Sequence, residues 1–149
     1  MVCLVRVLCQ VVSGDPVPGD AYALGGAGKL HLRKGNLELA RRCLETALSG
    51  SAGAGDSVTQ NRTLGHVLRK QGDWQGAMNA FAKVVASGCA KDEDFLWFAR
   101  SWEMGPGDIG RSRDIVVEAV SRYEALGKEP PLSRQRRLRR LEKRMKSAK

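Results

Sequence analysis

The sequence predicts an all-α fold: about three helical hairpins stacked in succession, followed by a basic C-terminal helix. Two observations carry this prediction. First, one residue pattern recurs at intervals of 37 and 35 residues, opened by Gly35-Asn36-Leu37, Gly72-Asp73-Trp74 and Gly107-Asp108-Ile109. Five residues after each glycine stands a small side chain (Ala40, Ala77, Ser112), and nine after it a bulky apolar one (Leu44, Phe81, Val116). Twelve after it stand Ala47, Val84 and Ala119. A period in the mid-thirties is the mark of stacked helix-turn-helix units, none of which can bury its apolar face alone. Second, the net charge of +9 is concentrated in one segment: Arg134 to Lys149 holds nine Lys or Arg against the single acid Glu142. The body before it is nearly neutral, so the basic balance describes the C-terminal segment and not the fold.

The elements follow in order. Met1 to Val12 is apolar except for Arg6 and Gln10. The run is too short to span a bilayer, and its charge sits in the middle instead of ahead of the apolar stretch, unlike a secretory signal. A short edge strand or sequence upstream of the domain are the two readings, and a cytoplasmic chain is expected. Ser13 to Asp20, with Pro16 and Pro18, reads as a linker. A first hairpin is expected from Ala21 to Lys34 and from Leu37 to Leu48, with Asp20 and Asn36 as caps. The glycine-rich Ser49–Asp56 reads as a flexible connector. A second hairpin is expected over Ser57–Gln71 and Trp74–Ala86, with Asp73 as cap. A third is expected over Glu93–Met104 and Ile109–Leu126, capped by Asp108. Each capping side chain contributes about 1 kcal/mol by accepting a bond from a free first-turn amide. After Pro130 and Pro131, Ser133 caps a last helix reaching Lys146. The organisation is thus an N-terminal segment over residues 1–20, repeats over about 21–52, 57–89 and 92–126 within a domain of 21–127, and a basic helix in 128–149.

The repeat spacing also predicts contacts. Gly28 and Gly65 each lie seven residues before the turn glycine. There they offer bare backbone against which Ala40 and Ala77 press. In the third copy that count falls on Arg100, and a count of eight falls on Ala99, so the turn M-G-P-G-D carries one extra residue. Leu37, Leu44, Trp74, Phe81, Ile109 and Val116 should hold the fold.

These residues resemble the tetratricopeptide-repeat (TPR) family over about Leu24 to Tyr123. The resemblance implies a right-handed superhelix of about three TPR-like hairpins whose first helices line a concave groove. It departs at His31, where an aromatic is commoner, and in having no proline closing any copy. A narrower resemblance runs through Leu68–Met78 (LRKQGDWQGAM), Phe98–Met104 (FARSWEM) and Arg137–Met145 (RLRRLEKRM). It is similar to the helical C-terminal region of a bacterial family of predicted RNase-H-like exonucleases. The acidic metal-binding motifs of that family have no counterpart here, so the likeness implies, as an alternative, a detached repeat tail of a nuclease acting through the basic C-terminal helix.

Function is expected to be binding without turnover. By phase, the groove candidates are Lys29, Leu32 and Arg33, then Arg62, His66, Arg69 and Lys70, then Leu96, Arg100 and Glu103. The basic members (Lys29, Arg33, Arg62, His66, Arg69, Lys70, Arg100) suit a protein or peptide partner with carboxylates. They equally suit a solvated helix face. Asn61 and Asn79 fall out of that phase. In the C-terminal segment, Leu138, Leu141 and Met145 form an apolar stripe suited to closing the last repeat. Arg134, Arg136, Arg137, Arg139, Arg140, Lys143 and Arg144 offer an alternative as phosphate ligands of nucleic acid. No aromatic is interleaved among them for base stacking. Cys3, Cys9, Cys43 and Cys89 have no metal-site spacing with the two histidines and read as reduced thiols. The glycine clusters match no phosphate-binding template. No cofactor or metal is expected.

Overall fold

The computed structural model describes residues 21–50 and 54–147. The apolar run Met1–Val12, the linker to Asp20, the Asp20 cap and Ser51–Gly53 of the connector lie outside the described residues. Among those described, the chain is all-helical, with seven helices and no strand: α1 (Ala21–Lys34), α2 (Leu37–Ser49), α3 (Ala54–Gln71), α4 (Trp74–Ala86), α5 (Asp92–Met104), α6 (Ile109–Ala125) and α7 (Leu132–Ser147). They form two compact units, one up to Gly72 and one from Asp73 onward.

In the first unit α2 is the central element, packed against α1 and α3, and α1 also touches α3. The buried residues of α2 are Ala40, Cys43, Leu44 and Ala47, the i, i+3, i+4, i+7 stripe of an amphipathic helix. Leu24 of α1 and Leu64, Val67 and Leu68 of α3 are buried with them. Helix α1 carries three glycines, which are poor helix formers, so packing must sustain it. Gly28 shows how: a β-carbon there would lie 2.5 Å from Leu44 Cγ. The side chain nearest to that position is Leu44, a contact the repeat spacing does not name. A contact this close admits the branched Leu side chain only where the opposite backbone is bare.

The turn between α1 and α2 closes through Gly35. Its φ of 82° is left-handed, and the Asn36 N–H donates to His31 O at 3.0 Å. Asn36 itself makes no side-chain capping bond. The expected cap is thus a turn residue only. Helix α3 starts at Ala54, three residues before the expected Ser57, so the end of the connector is wound into its first turn.

In the second unit α4 packs on α5, α5 on α6 and α6 on α7. Asp73 and Asp108 both cap as predicted, accepting from Gly76 N–H at 2.8 Å and Arg111 N–H at 2.9 Å. At the start of α5 the buried Asp94 carboxylate accepts from the Lys91 N–H at 2.7 Å. The Asp108 N–H donates to Trp102 O at 3.1 Å. That bond spans six residues where the Asn36–His31 bond spans five, so the third turn does carry one extra residue. Ala99 is buried and Arg100 exposed, as that extra residue requires.

The core of this unit is Phe95, Ala99, Ile115, Val116, Ala119 and Leu141, with Phe98, Trp102, Ile109 and Leu138 packed around it. Phe81 and Val84 of α4 are also fully buried. The residues nine after each turn glycine are thus all core. Leu37, Trp74 and Ile109, two after each glycine, are only partly buried. Helix α7 begins at Leu132, where Pro131 O accepts the Arg134 N–H at 2.9 Å. Ser133 therefore lies inside the first turn and is not the cap. Burying Leu141 contributes roughly 1.5–3 kcal/mol.

Candidate partner-binding surfaces

Two surfaces follow from this arrangement, one on each unit. In the first unit the charge is unevenly placed. Helix α1 has Lys29, Arg33 and Lys34 and no acid; α3 has Arg62, Arg69 and Lys70 against Asp56 alone. Helix α2 offsets Arg41 and Arg42 with Glu38 and Glu45, and Arg41 Nε pairs with Glu45 at 2.8 Å. The positive potential therefore belongs to α1 and α3, which are in contact.

A cleft of about 200 Å³ lies between these two helices, lined by Tyr22, Gly25, Gly26 and Lys29 on one side and Asp56, Thr59, Gln60 and Thr63 on the other. Gly26 has open space where a β-carbon would be. A β-carbon on Gly25 would come within 3.0 Å of Gln60 Nε2. The Gln60 side chain is buried. Its Nε2 donates to Ala21 O at 2.8 Å, and its Oε1 has no partner. Tyr22 is 75% exposed at the rim.

Of the sequence-derived groove set, Lys29 lines this cleft. Arg33 and Lys70 are exposed on the same two helices, whereas Arg62, His66 and Arg69 are half-buried. Arg69 Nε donates to His66 Nδ1 at 3.2 Å, so these two are engaged with each other. Asn61 is buried and donates to Ser57 O at 2.8 Å, consistent with its being out of phase. Tyr22, Thr59, Gln60 and Thr63 are absent from the sequence-derived set. The signal that marks their place is Gly25-Gly26, two adjacent glycines inside a helix, which leave a bare strip on its surface.

In the second unit Arg100 is exposed and lies 5.8 Å from the Trp97 ring centroid. Glu103 does not serve a groove. It accepts from Ser112 Oγ at 2.9 Å, pairs with the Arg137 guanidinium, and meets Arg144 Nη1 at 3.2 Å. Burial pulls the Arg137 pKa below the ordinary arginine range, and the Glu103 charge opposes that shift. Arg134 is held at the start of α5 by Asp92, with Nη2–Oδ2 at 2.7 Å. Burial and the same Asp92 carboxylate raise the Tyr123 phenol above its ordinary value.

The seven basic residues singled out in the C-terminal helix thus divide by face. Arg134, Arg137 and Arg144 pair with carboxylates of α5. Arg136, Arg139, Arg140 and Lys143 are exposed and, among the described residues, meet no acid.

The chemistry of the remaining groups is bland. Burial pushes the Cys43 thiol pKa up, the opposite of what an activated nucleophile needs. His31 keeps a buried Nδ1 without a partner. Among the described residues, no group of three or more His, Cys, Asp and Glu side chains is placed to hold a metal, and no helix is long and apolar enough to cross a membrane. The chain matches no protein-family model and no curated protein sequence.

Proposed function

We propose that this chain is a non-enzymatic, TPR-like scaffold whose α1–α3 face holds an acidic segment of a partner protein. Three features support the TPR-like reading, from which a right-handed superhelix is inferred by resemblance: the 37- and 35-residue spacing, the glycine turns at φ 82°, 82° and 74°, and the contact of α1 with α3 across α2. The observation that carries the functional reading is the cleft floored by Gly25 and Gly26. It is lined by Lys29 and Asp56 and sits on the two helices where cations outnumber acids. Lys29, Arg33 and Lys70 then supply charge to the partner's carboxylates. The Thr63 hydroxyl, whose proton goes to Thr59 O, can accept from the partner's main-chain N–H, and Tyr22 offers an aromatic edge.

The test uses the intact chain and fluorescein-labelled ten-residue peptides rich in Asp and Glu, with matched Asn and Gln versions. Lys29→Glu and Lys70→Glu reverse exposed charges without disturbing buried pairs. Each should weaken acidic-peptide binding about tenfold, a change of about 1.4 kcal/mol, while circular dichroism stays unchanged. Equal binding of acidic and neutral peptides, or indifference to both reversals, would remove the α1–α3 face as the contact surface.

A further inference from the structure

The outward face of α7 has a different character from the α1–α3 face. Arg136, Arg139, Arg140, Lys143 and Lys146 recur at steps of three and four and therefore share one side of the helix. All five are exposed, and among the described residues none meets a carboxylate. The opposite side carries Arg134, Arg137, Leu138 and Leu141, which are wholly or partly buried against the second unit. Five cations without an ion pair thus line about 15 Å of helix at 1.5 Å per residue, with Glu142 as the one acid of α7, beside Lys146. Mutual repulsion along such a row is tolerated because packing on the other side holds the helix in place.

We propose that this face of α7 binds the phosphate backbone of a nucleic acid. Charge complementarity selects the occupant: a row of cations matches a row of phosphates, and contacts of this kind need no base readout. A protein partner would need a buried apolar or aromatic centre. The face offers none, since Leu132, the helix's exposed large apolar side chain, stands at its first residue. A membrane surface would need an apolar side free to insert. Here Leu138 and Leu141 are already covered by the unit's own core. The proposal also separates two roles within one basic segment. Arg134, Arg137 and Arg144 attach the helix through Asp92 and Glu103, and the other five meet the ligand.

The experiment uses the intact chain and a fluorescein-labelled, mixed-sequence 20-base-pair duplex, read by anisotropy as salt is raised. Five phosphate contacts give a log–log slope of about −4.5, or roughly a 500-fold loss of affinity between 50 and 200 mM salt. Changing Arg136, Arg139, Arg140 and Lys143 together to Gln should flatten the slope to about −0.9. Gln keeps helix propensity close to that of Arg and Lys, so the melting temperature should hold. If the fourfold variant fails to fold, Arg136→Gln with Arg140→Gln should still bring the slope to about −2.7. A charge-matched variant with Lys83, Lys91, Arg111 and Lys128 changed to Gln should keep the original slope.

Equal flattening by both fourfold variants would overturn the proposal in favour of bulk charge. So would no measurable duplex binding at 50 mM salt. Poly-glutamate bound as tightly as the duplex would point to an acidic protein instead. Phosphatidylserine vesicles bound through the same four residues, with duplex binding unaffected by their loss, would point to a membrane surface.

Discussion

Leu44 occupies the space that a β-carbon of Gly28 would need, with Cγ 2.5 Å and Cδ2 2.9 Å from that position. Leu44 is fully buried and sits on α2, so it cannot swing aside into solvent. The pair explains how a helix with three glycines persists: the bare backbone at Gly28 lets α1 and α2 approach closely enough for Leu44 to seat.

The first prediction contrasts two glycines of the same helix. Gly28→Ala gains about 1 kcal/mol of helix propensity but must displace Leu44, at about 1–3 kcal/mol. A net loss is expected. Gly26→Ala meets nothing within 4 Å, so it keeps the propensity gain of about 0.5–1 kcal/mol. Urea unfolding of the two variants should move in opposite directions. Equal shifts would show that crowding at Leu44 is not what sets the cost.

A second prediction concerns the two large aromatics of α4. Phe81 is fully buried, whereas Trp74 is only partly covered. Phe81→Ala should therefore cost about 3–5 kcal/mol, close to the whole stability of a small helical unit. Trp74→Ala should cost clearly less, although the repeat pattern alone ranks the two together. Thermal melts followed at 222 nm give the comparison directly.

The third prediction tests how α7 is fastened. The Arg134 side chain is 7% exposed and that of Asp92 is 38% exposed, so solvent screens the pair on one side only. Arg134→Met should cost about 1–3 kcal/mol, reduced from the fully buried range by that exposure. Arg134→Lys should recover only part, because an ammonium cannot reproduce the fork that meets the carboxylate and the Asp92 carbonyl together. A double-mutant cycle with Asp92→Asn isolates the coupling. A cycle that sums to zero would leave Leu141 as the main attachment.

The fourth prediction is about pH. Cys43 is buried with its pKa raised, and Cys89 is exposed. A raised pKa in the folded state means that Cys43 contributes stability below the unfolded thiol value of about 8.5. That contribution is lost as pH rises from there through the folded value. Iodoacetamide at pH 8 should therefore modify Cys89 and spare Cys43 until urea is added, as peptide mapping by mass spectrometry would show. The Cys43→Ser variant should lose stability outright, and the fall due to this thiol above the unfolded value of about 8.5 should disappear.

Much of the helical framework is legible in the residues, because the turns obey a local rule. Gly35, Gly72 and Gly107 need left-handed backbone, Asp73 and Asp108 have first-turn amides within reach, and both requirements are met within a few residues. Leu44, Phe81 and Val116 are core because their phase from those turns is fixed by helical periodicity. The start of α3 is less legible: Gly53-Ala54-Gly55 has loop composition, yet Ala54 and Gly55 join a helix that α2 supports from outside.

The candidate surfaces are legible only in part, for a related reason. Phase shows which cations share a face, but the partner of a charge sits on another helix. Glu103 reads as a groove residue until Arg137 and Arg144 arrive from α7, 34 and 41 residues further along the chain. Arg134 reads as one cation among nine until Asp92 is placed beside it. Lys29 was identifiable by phase, whereas Gln60 and Thr63 depend on how closely α1 and α3 approach.

Gly35 and Gly107 depart from their helices at φ of 82° and 74°, and nothing lies within 4 Å of where a β-carbon would stand. Room is therefore not what excludes an alanine from either turn; chirality is, since only the mirror-image amino acid would adopt that backbone without strain. A chemically assembled version of this protein carrying D-alanine at both corners would satisfy the angle and fill vacant solvent. Its disordered form would also have fewer conformations to abandon. The bends that divide the chain into helices are thus the places where an unnatural stereocentre fits better than any encoded side chain.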